Sequence, residues 1–418
     1  MHTRQRLVAL AVAFALASAS SAAAQDLAIR NVRIIVGTGQ VVEQGTILIR
    51  GGRIVSASAG NTPAPGVRTL DGRGLTAVPG YIDAHRHIVQ GGGRGGRGGD
   101  GADAWLKNDA PARMQEFLEA GYTTLMSAGG AAEPVVALKK AIDGGQMKGP
   151  RIIPSGPLQI GPNTTPEAAR EVIRKLAAAD IHFTGEVNVN SFKPDAKQLE
   201  ALAAAIDEGK KVGVDVAIHA ASVVAMNAAV KIGVPKLVHT PHFQWMSDAD
   251  AQAVKAAGTQ VSSCTGFGAP VFSVFNKDNV PTFRDGGKWP DAILDGEGRG
   301  REAGYKPVNG RTLFDNGVVY GYCTDTGYLP AWGLNQELRV LGLMFSPLDL
   351  VKVLGPNSAS WVNMSKDLGT LEAGKLADIV LLGGNPLGGT PQNGFWDFLN
   401  VKVTIKGGQV LVDKRAAK

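Results

Sequence analysis

Four histidines and one aspartate stand where short apolar runs end. His85 and His87 occur in PGYIDAHRHIV, His219 in VDVAIHAAS, His239 in KLVHTPHF and Asp325 in VVYGYCTDTG. Residues i and i+2 of an extended strand project to the same side, so His85 and His87 can bind one ion together. A lone His-x-His pair is a weak signal. It gains weight because the other three residues also follow strand-like runs. Imidazoles plus a carboxylate, without thiolate, suit Zn(II), with Fe(II) or Mn(II) as alternatives. A carboxylate beside a metal-activated water can also take its proton.

Such a cluster needs a scaffold that brings separate strand ends to one rim. Eight β-like runs fit that need: Thr76–Asp83, Thr123–Ser127, Arg151–Ser155, Ile181–Glu186, Val214–His219, Lys236–His239, Gln260–Cys264 and Val318–Thr324. Stretches with helical spacing separate most of them: Ala112–Ala120, Glu133–Asp143, Pro166–Ala178, Lys197–Lys211, Ser222–Lys231 and Asp248–Ala257. The alternation and size point to an α/β chain of the (β/α)8 TIM-barrel type, with an open sheet covered on both faces as the alternative. Barrels of this kind carry their active sites at the strand C-termini, where the histidines fall.

The two ends of the chain read differently. Residues 26–76 and the last fifty or so alternate short β-like runs with glycine turns, and Gly51-Gly52 and Gly407-Gly408 are hairpin signals. Each piece is too small for a good core of its own. They are expected to join as one small β-sandwich. The expected division is an export signal over 1–24, a sandwich of 25–77 with 366–418, and a barrel over 78–365.

Composition narrows the function. With 44% hydrophobic residues in 418, the chain is no disordered tail. The net charge of +6 is thin and not clustered enough to suggest a nucleic-acid groove, and Arg94 and Arg97 in the Gly/Arg stretch are too few to make a polyanion binder, so no nucleic-acid partner is expected. Arg4 and Arg6, the apolar run Leu7–Leu16 and Ala22-Ala23-Ala24 form a signal-peptide pattern, so a periplasmic or secreted enzyme is expected. No later run is apolar enough for a span, so no membrane contact is expected after cleavage. Gln90–Ala104 and Gly266–Arg311 lack periodicity and read as loops, either surface insertions or a substrate lid. For Cys264 and Cys323, two buried thiols are the default expectation. A bridge is the alternative, since neighbouring strands and an oxidising compartment would allow it.

Several segments together resemble the amidohydrolase superfamily, its imidazolonepropionase-like and enamidase-like members most. They are Val78–His87, Gly121–Thr124, Gly149–Arg151, the strand-end His219 and His239, Thr324–Thr326 and Leu371–Val380, and with the flanking β runs they cover nearly all of 27–413. The resemblance implies hydrolysis of an amide bond, in a cyclic amide or dipeptide-like small-molecule substrate, by metal-activated water. It implies His85 and His87 as ligands of one ion, His219 and His239 as ligands of a second, and Asp325 as ligand and general base, with His239 also at the reacting centre. Many relatives bridge two ions with a modified lysine, and none stands in the corresponding stretch here. Glu186 is the natural bridge, with His182 and Lys193 as competitors. His242, Tyr328 and Trp332 are candidate substrate contacts, Tyr305 and Arg301 weaker ones. Arg86 should face away from the ligands and serve structure. A homo-oligomer is expected. A lactonase or deaminase on the same site, and a non-catalytic periplasmic binding protein on the same scaffold, are the alternatives.

Overall fold

The structure, a computed structural model, describes residues 26–89, 101–266, 299–325, 330–388 and 395–415. The expected signal segment, most of the Gly/Arg stretch after Val89 and Tyr328 lie outside the described residues. At the start of the chain, strands β1 (Leu27–Ile35), β2 (Val41–Arg50) and β3 (Arg53–Ala59) form an antiparallel meander. Next come β4 (Arg68–Asp71) and β5 (Thr76–Pro79), both parallel to β1. The last three strands, β14 (Ile379–Leu382), β15 (Val401–Lys406) and β16 (Gln409–Asp413), join antiparallel to β5. One hydrogen-bonded sheet thus draws on both ends of the chain, in the order β16-β15-β14-β5-β1-β2-β3. Alternation explains it: Leu27, Ile29, Ile47, Ile379 and Ile405 turn to one shared core, while their neighbours Ala28, Leu48 and Val380 pack into other clusters.

Between these ends run eight short strands. β6 (Tyr81–Arg86), β7 (Tyr122–Ser127) and β8 (Arg151–Ile153) are parallel. β9 (Phe183–Asn188), β10 (Asp215–His219), β11 (Lys236–Val238), β12 (Gln260–Ser262) and β13 (Tyr320–Gly321) form a second parallel set. A parallel bridge between Gly156 and Thr184 ties the two sets on one side. On the other, the Ala84 amide donates to the Tyr322 carbonyl and the Asp325 amide to the His85 carbonyl, both at 2.9 Å. The sequence suggested one strand over Thr76–Asp83. It is two, because Gly80 breaks it: β5 pairs with the terminal sheet and β6 with β7. A Cβ at Gly80 would lie 2.3 Å from Thr123 Oγ1, so only glycine lets the strands approach there.

After α1 (Ala102–Asn108), six helices fall within two residues of the expected spans: α2 (Ala110–Glu119), α3 (Ala132–Asp143), α4 (Pro166–Ala178), α5 (Ala196–Val212), α6 (Val223–Lys231) and α7 (Asp248–Ala256). Their starts are set chemically. Thr165, Asp195 and Ser222 each accept a backbone N–H of the first turn, and Ser247 and Asp250 form a reciprocal capping box. Of the two stretches read as loops, most lies outside the described residues, 90–100 and 267–298. Only their ends are corrected: α1 begins within the last residues of the first, and α8 (Arg299–Asp315) takes in the last part of the second. α8 contains Pro307 and several glycines, so its pattern is weak. Packing holds it instead: Leu313 is buried, and the Asn309 amide donates to the Pro241 and Gln244 carbonyls at 2.8 Å. α9 (Pro330–Leu341), α10 (Pro347–Lys352) and α11 (Ser358–Trp361) follow. Among the described residues no helix is long and apolar enough to cross a membrane.

The default of two free thiols is also corrected. Cys264 and Cys323 are bonded. They follow β12 and β13, neighbouring parallel strands, which brings their Cα atoms to 4.8 Å, well within bridging range.

Candidate metal centre

Each site residue ends a strand or stands just past one. His85 lies on β6 and His87 follows it; Glu186 is on β9; His219 ends β10; His239 follows β11; Asp325 follows β13. His239 and Asp325 adopt left-handed backbone, with φ of 71° and 49°. This conformation is rare for residues with a Cβ and turns the side chain off the strand line into the rim.

The carboxylates sit among the imidazoles. Glu186 Oε2 is 2.9 Å from His219 Nδ1, 3.3 Å from His239 Nε2 and 3.6 Å from His85 Nε2. Asp325 Oδ1 is 3.1 Å from His87 Nε2 and 3.4 Å from His85 Nε2, and its Oδ2 is 3.6 Å from His239 Nε2. Two groups have ligand atoms close enough to share an ion: Glu186 with His219 and His239, and His85 with Glu186 and Asp325. Glu186 belongs to both.

His85, His239 and Asp325 are buried. Yet His85 Nε2, His239 Nε2 and Asp325 Oδ1 have no hydrogen-bond partner. Buried polar atoms are normally paired, so three converging orphans point to a missing central partner. Burial alone would depress the His85 imidazole, but the Glu186 and Asp325 carboxylates hold it up at about 10. Burial opposes ionisation of Glu186, yet His85, His219 and His239 hold its carboxyl well below the usual range. Asp325 is lowered too, since His85 and His87 outweigh its burial. Burial wins at His239 and depresses its imidazole. The donor set of oxygen and imidazole nitrogen fits a divalent transition ion.

The structure brings His85, His87, Glu186, His219, His239 and Asp325 together. It keeps the competitors for the bridge apart: His182 is exposed beside Asp180 and the Gly213 carbonyl, and exposed Lys193 donates its amide to Asn190. His242 is half-buried, its ring 4.6 Å from that of Phe243, with Nδ1 3.2 Å from the Thr240 carbonyl. Burial, helped by Lys306, depresses its imidazole to about 3, so it is neutral. Trp332 lies on α9 and is 45% exposed. Tyr305 packs edge-on against Trp245, and Arg301 lies within α8. Arg86 is buried away from the ligands, donating to Thr324 Oγ1 at 2.9 Å and lying 4.6 Å from the Phe117 ring centre.

Two buried acids escaped the sequence reading. Asp83 accepts from Thr324 Oγ1 at 2.7 Å and pairs with Arg86 at 3.4 Å. Glu337, on α9, accepts four hydrogen bonds from the end of β12. Asp83 could have been found from its place two residues before His85. Nothing in the residues around Glu337 marks it.

The amidohydrolase family model matches residues 76–411. The imidazolonepropionase of Alkaliphilus metalliredigens (strain QYMF) is 25% identical over 415 residues, covering 90% of this chain and 92% of that protein. Among solved structures, an Xaa-Pro dipeptidase with methionine bound in the active site superposes with a TM-score of 0.74 at 20% identity, covering 93% of this chain and all of the other. The ochratoxinase of A. niger gives 0.71 at 17% identity, covering 94% and 97%. These two carry the fold, which is that of a TIM barrel with α/β content. With most of its length matched and groups that could hold a metal ion gathered on one rim, the chain belongs to the amidohydrolase family and is a metal-dependent hydrolase acting on carbon–nitrogen bonds of small molecules.

Proposed function

We propose that the protein hydrolyses the amide bond of a cyclic amide or dipeptide-like substrate at a binuclear zinc centre bridged by Glu186. One observation carries this: a single oxygen, Glu186 Oε2, stands within 3.6 Å of nitrogens from His85, His219 and His239. In this reading His85, His87 and Asp325 hold one ion, and His219 and His239 the other. When bound, the ions supply Lewis acidity and an activated water. Asp325 takes the proton of the attacking water and passes it to the leaving nitrogen. His239, kept neutral by burial, orients the substrate carbonyl. His242 and Trp332 are the candidate substrate contacts among the described residues, and Tyr328 is the third by its place in the sequence. The ties at Gly156–Thr184 and Ala84–Tyr322 support one closed eight-stranded barrel. The sheet from both termini supports a sandwich of 25–77 and 366–418 beside a barrel of 78–365. Residues 1–24 direct export to the periplasm or beyond, and the working form is a homo-oligomer without nucleic acid.

The test is metal content by elemental mass spectrometry on the mature protein, wild type beside Glu186→Ala. Two equivalents falling to one or fewer is expected, and justifies a screen of dipeptides and cyclic amides. One equivalent in both overturns the bridge and moves the screen to deamination. None in either, after reconstitution, returns the chain to a binding role.

A further inference from the structure

Glu337 is 1% exposed, and all four of its donors come from the few residues after β12. Its Oε1 accepts from Ser263 Oγ at 2.5 Å, and from the Thr265 amide and hydroxyl at 2.8 Å each. Its Oε2 accepts from the Gly266 amide. None of these donors is a cation. The approach depends on glycine: a Cβ at Gly266 would lie 2.6 Å from the Glu337 nitrogen.

From Ser263 the connections run to both neighbouring strands. The Cys323 amide donates to Ser263 Oγ at 3.1 Å, and the Ser263 amide donates to the Gly321 carbonyl at 2.8 Å. On the other side, the Thr240 amide and hydroxyl both donate to the Ser263 carbonyl, at 3.1 and 2.9 Å. Thr240 follows His239, and Cys323 lies two residues before Asp325. His239, Cys264 and Asp325 share left-handed backbone, with φ of 71°, 42° and 49°. Among the described residues, three of the six left-handed residues other than glycine thus stand on three adjoining strand ends around one node. Such conformations persist only where the surroundings over-determine them.

We propose that Glu337 is a positioning residue for the metal centre. Its carboxylate pins the end of β12, and through Ser263 the turns that aim His239 and Asp325 at the ions. The inference rests on the binuclear reading above, and acts on two of its ligands from opposite ion sites. Acids that orient ligands from behind are typically worth about 10–100-fold in metal affinity or activity when removed.

The experiment compares wild type, Glu337→Gln, Glu337→Met and Arg151→Met. The last removes the 2.7 Å ion pair to Asp378, which involves none of the candidate ligands, and controls for lost stability. Each is read for metal equivalents, the visible spectrum of the Co(II)-substituted protein, kcat against KM, and amide exchange over residues 320–325. Glu337→Met should lose about 10–100-fold in metal affinity or kcat, shift the cobalt spectrum and speed that exchange. Glu337→Gln keeps the three bonds at Oε1 but turns an N–H towards the Gly266 amide, and should fall between. Arg151→Met should match wild type in all four readouts at a similar loss of Tm. Folded Glu337→Met with wild-type cobalt spectrum, kcat and exchange overturns the inference. So does Arg151→Met showing the same losses. Should Glu337→Met not fold, Glu337→Gln decides by the same criteria. A wild type holding fewer than two ions sinks the binuclear reading alone, and exchange over 320–325 still judges Glu337.

Discussion

Two clusters of buried charge lie side by side along β6 and the residues after β13, and they are built in opposite ways. Asp83, Arg86 and Thr324 make a closed knot. Asp83 accepts from Thr324 Oγ1 at 2.7 Å, from the Thr324 amide at 3.2 Å and from the His85 amide at 3.3 Å, and Arg86 lies against it. His85 and Asp325, each next in sequence to a member of that knot, make an open one. Their side chains face each other and the other candidate ligands, and His85 Nε2 and Asp325 Oδ1 stay without a hydrogen bond. The carboxyls respond differently. Burial pushes Asp83 up despite Arg86 and Thr324, while His85 and His87 pull Asp325 down despite burial. A buried acid that serves the fold is surrounded by donors. The arrangement at Asp325, among groups that share its need for a central partner, is the one expected of the ion-binding role proposed for it.

If that contrast is right, the two clusters should break differently. Asp325→Asn removes the proposed proton acceptor and should lower kcat by about 10²–10⁴-fold, while the variant stays folded. Turnover at the wild-type rate would remove Asp325 from the chemistry. Arg86→Met leaves Asp83 buried without its cation and should destabilise by about 3–5 kcal/mol, read from denaturant midpoints. Adding Asp83→Asn should restore part of that loss, since the double variant no longer buries a charge. A fully additive double variant would deny that the two side chains interact.

The open cluster was legible in the sequence because its members announce themselves. Histidines and an aspartate at the ends of apolar runs are unusual, and strand geometry makes them converge. The helices were legible from their apolar period, and the caps at Thr165, Asp195 and Ser222 fix starts that the period left within two residues. The closed clusters were not legible. Only its place before His85 hints at Asp83, and the roles of Asp83 and Glu337 emerge once β12, β13 and α9 are placed, because Thr324 and Ser263, their respective partners, lie 241 and 74 residues away along the chain. α8 stayed hidden since its Pro307 and glycines contradict a helix that only its packing and Asn309 enforce. The bridge between Cys264 and Cys323 needed the actual register of β12 against β13.

That bridge closes a long loop, with a sequence separation of 59, beneath both clusters. Replacing both cysteines with serine should cost about 2–4 kcal/mol of stability, chiefly by loosening the unfolded chain. Metal equivalents should be retained, since no ligand is removed. A loss of metal at full folding would mean that the bridge positions Asp325 as well as joining the strands.

The finest cut is Thr324→Val. Thr324 is next to Asp325, yet its hydroxyl belongs to the closed knot, accepting from Arg86 at 2.9 Å and donating to Asp83 at 2.7 Å. Valine keeps the volume and the branched shape but leaves a buried donor and a buried acceptor short of a partner. That should cost about 1–3 kcal/mol, seen as a lower Tm. The backbone amides of Thr324 and Asp325 still donate to Asp83 and to the His85 carbonyl, so the open cluster keeps its frame. The folded variant should therefore keep its metal and its kcat. If kcat falls as steeply as in Asp325→Asn while the protein remains folded, the clusters are one device, and the charge on Asp83 and Arg86 tunes the chemistry next to it.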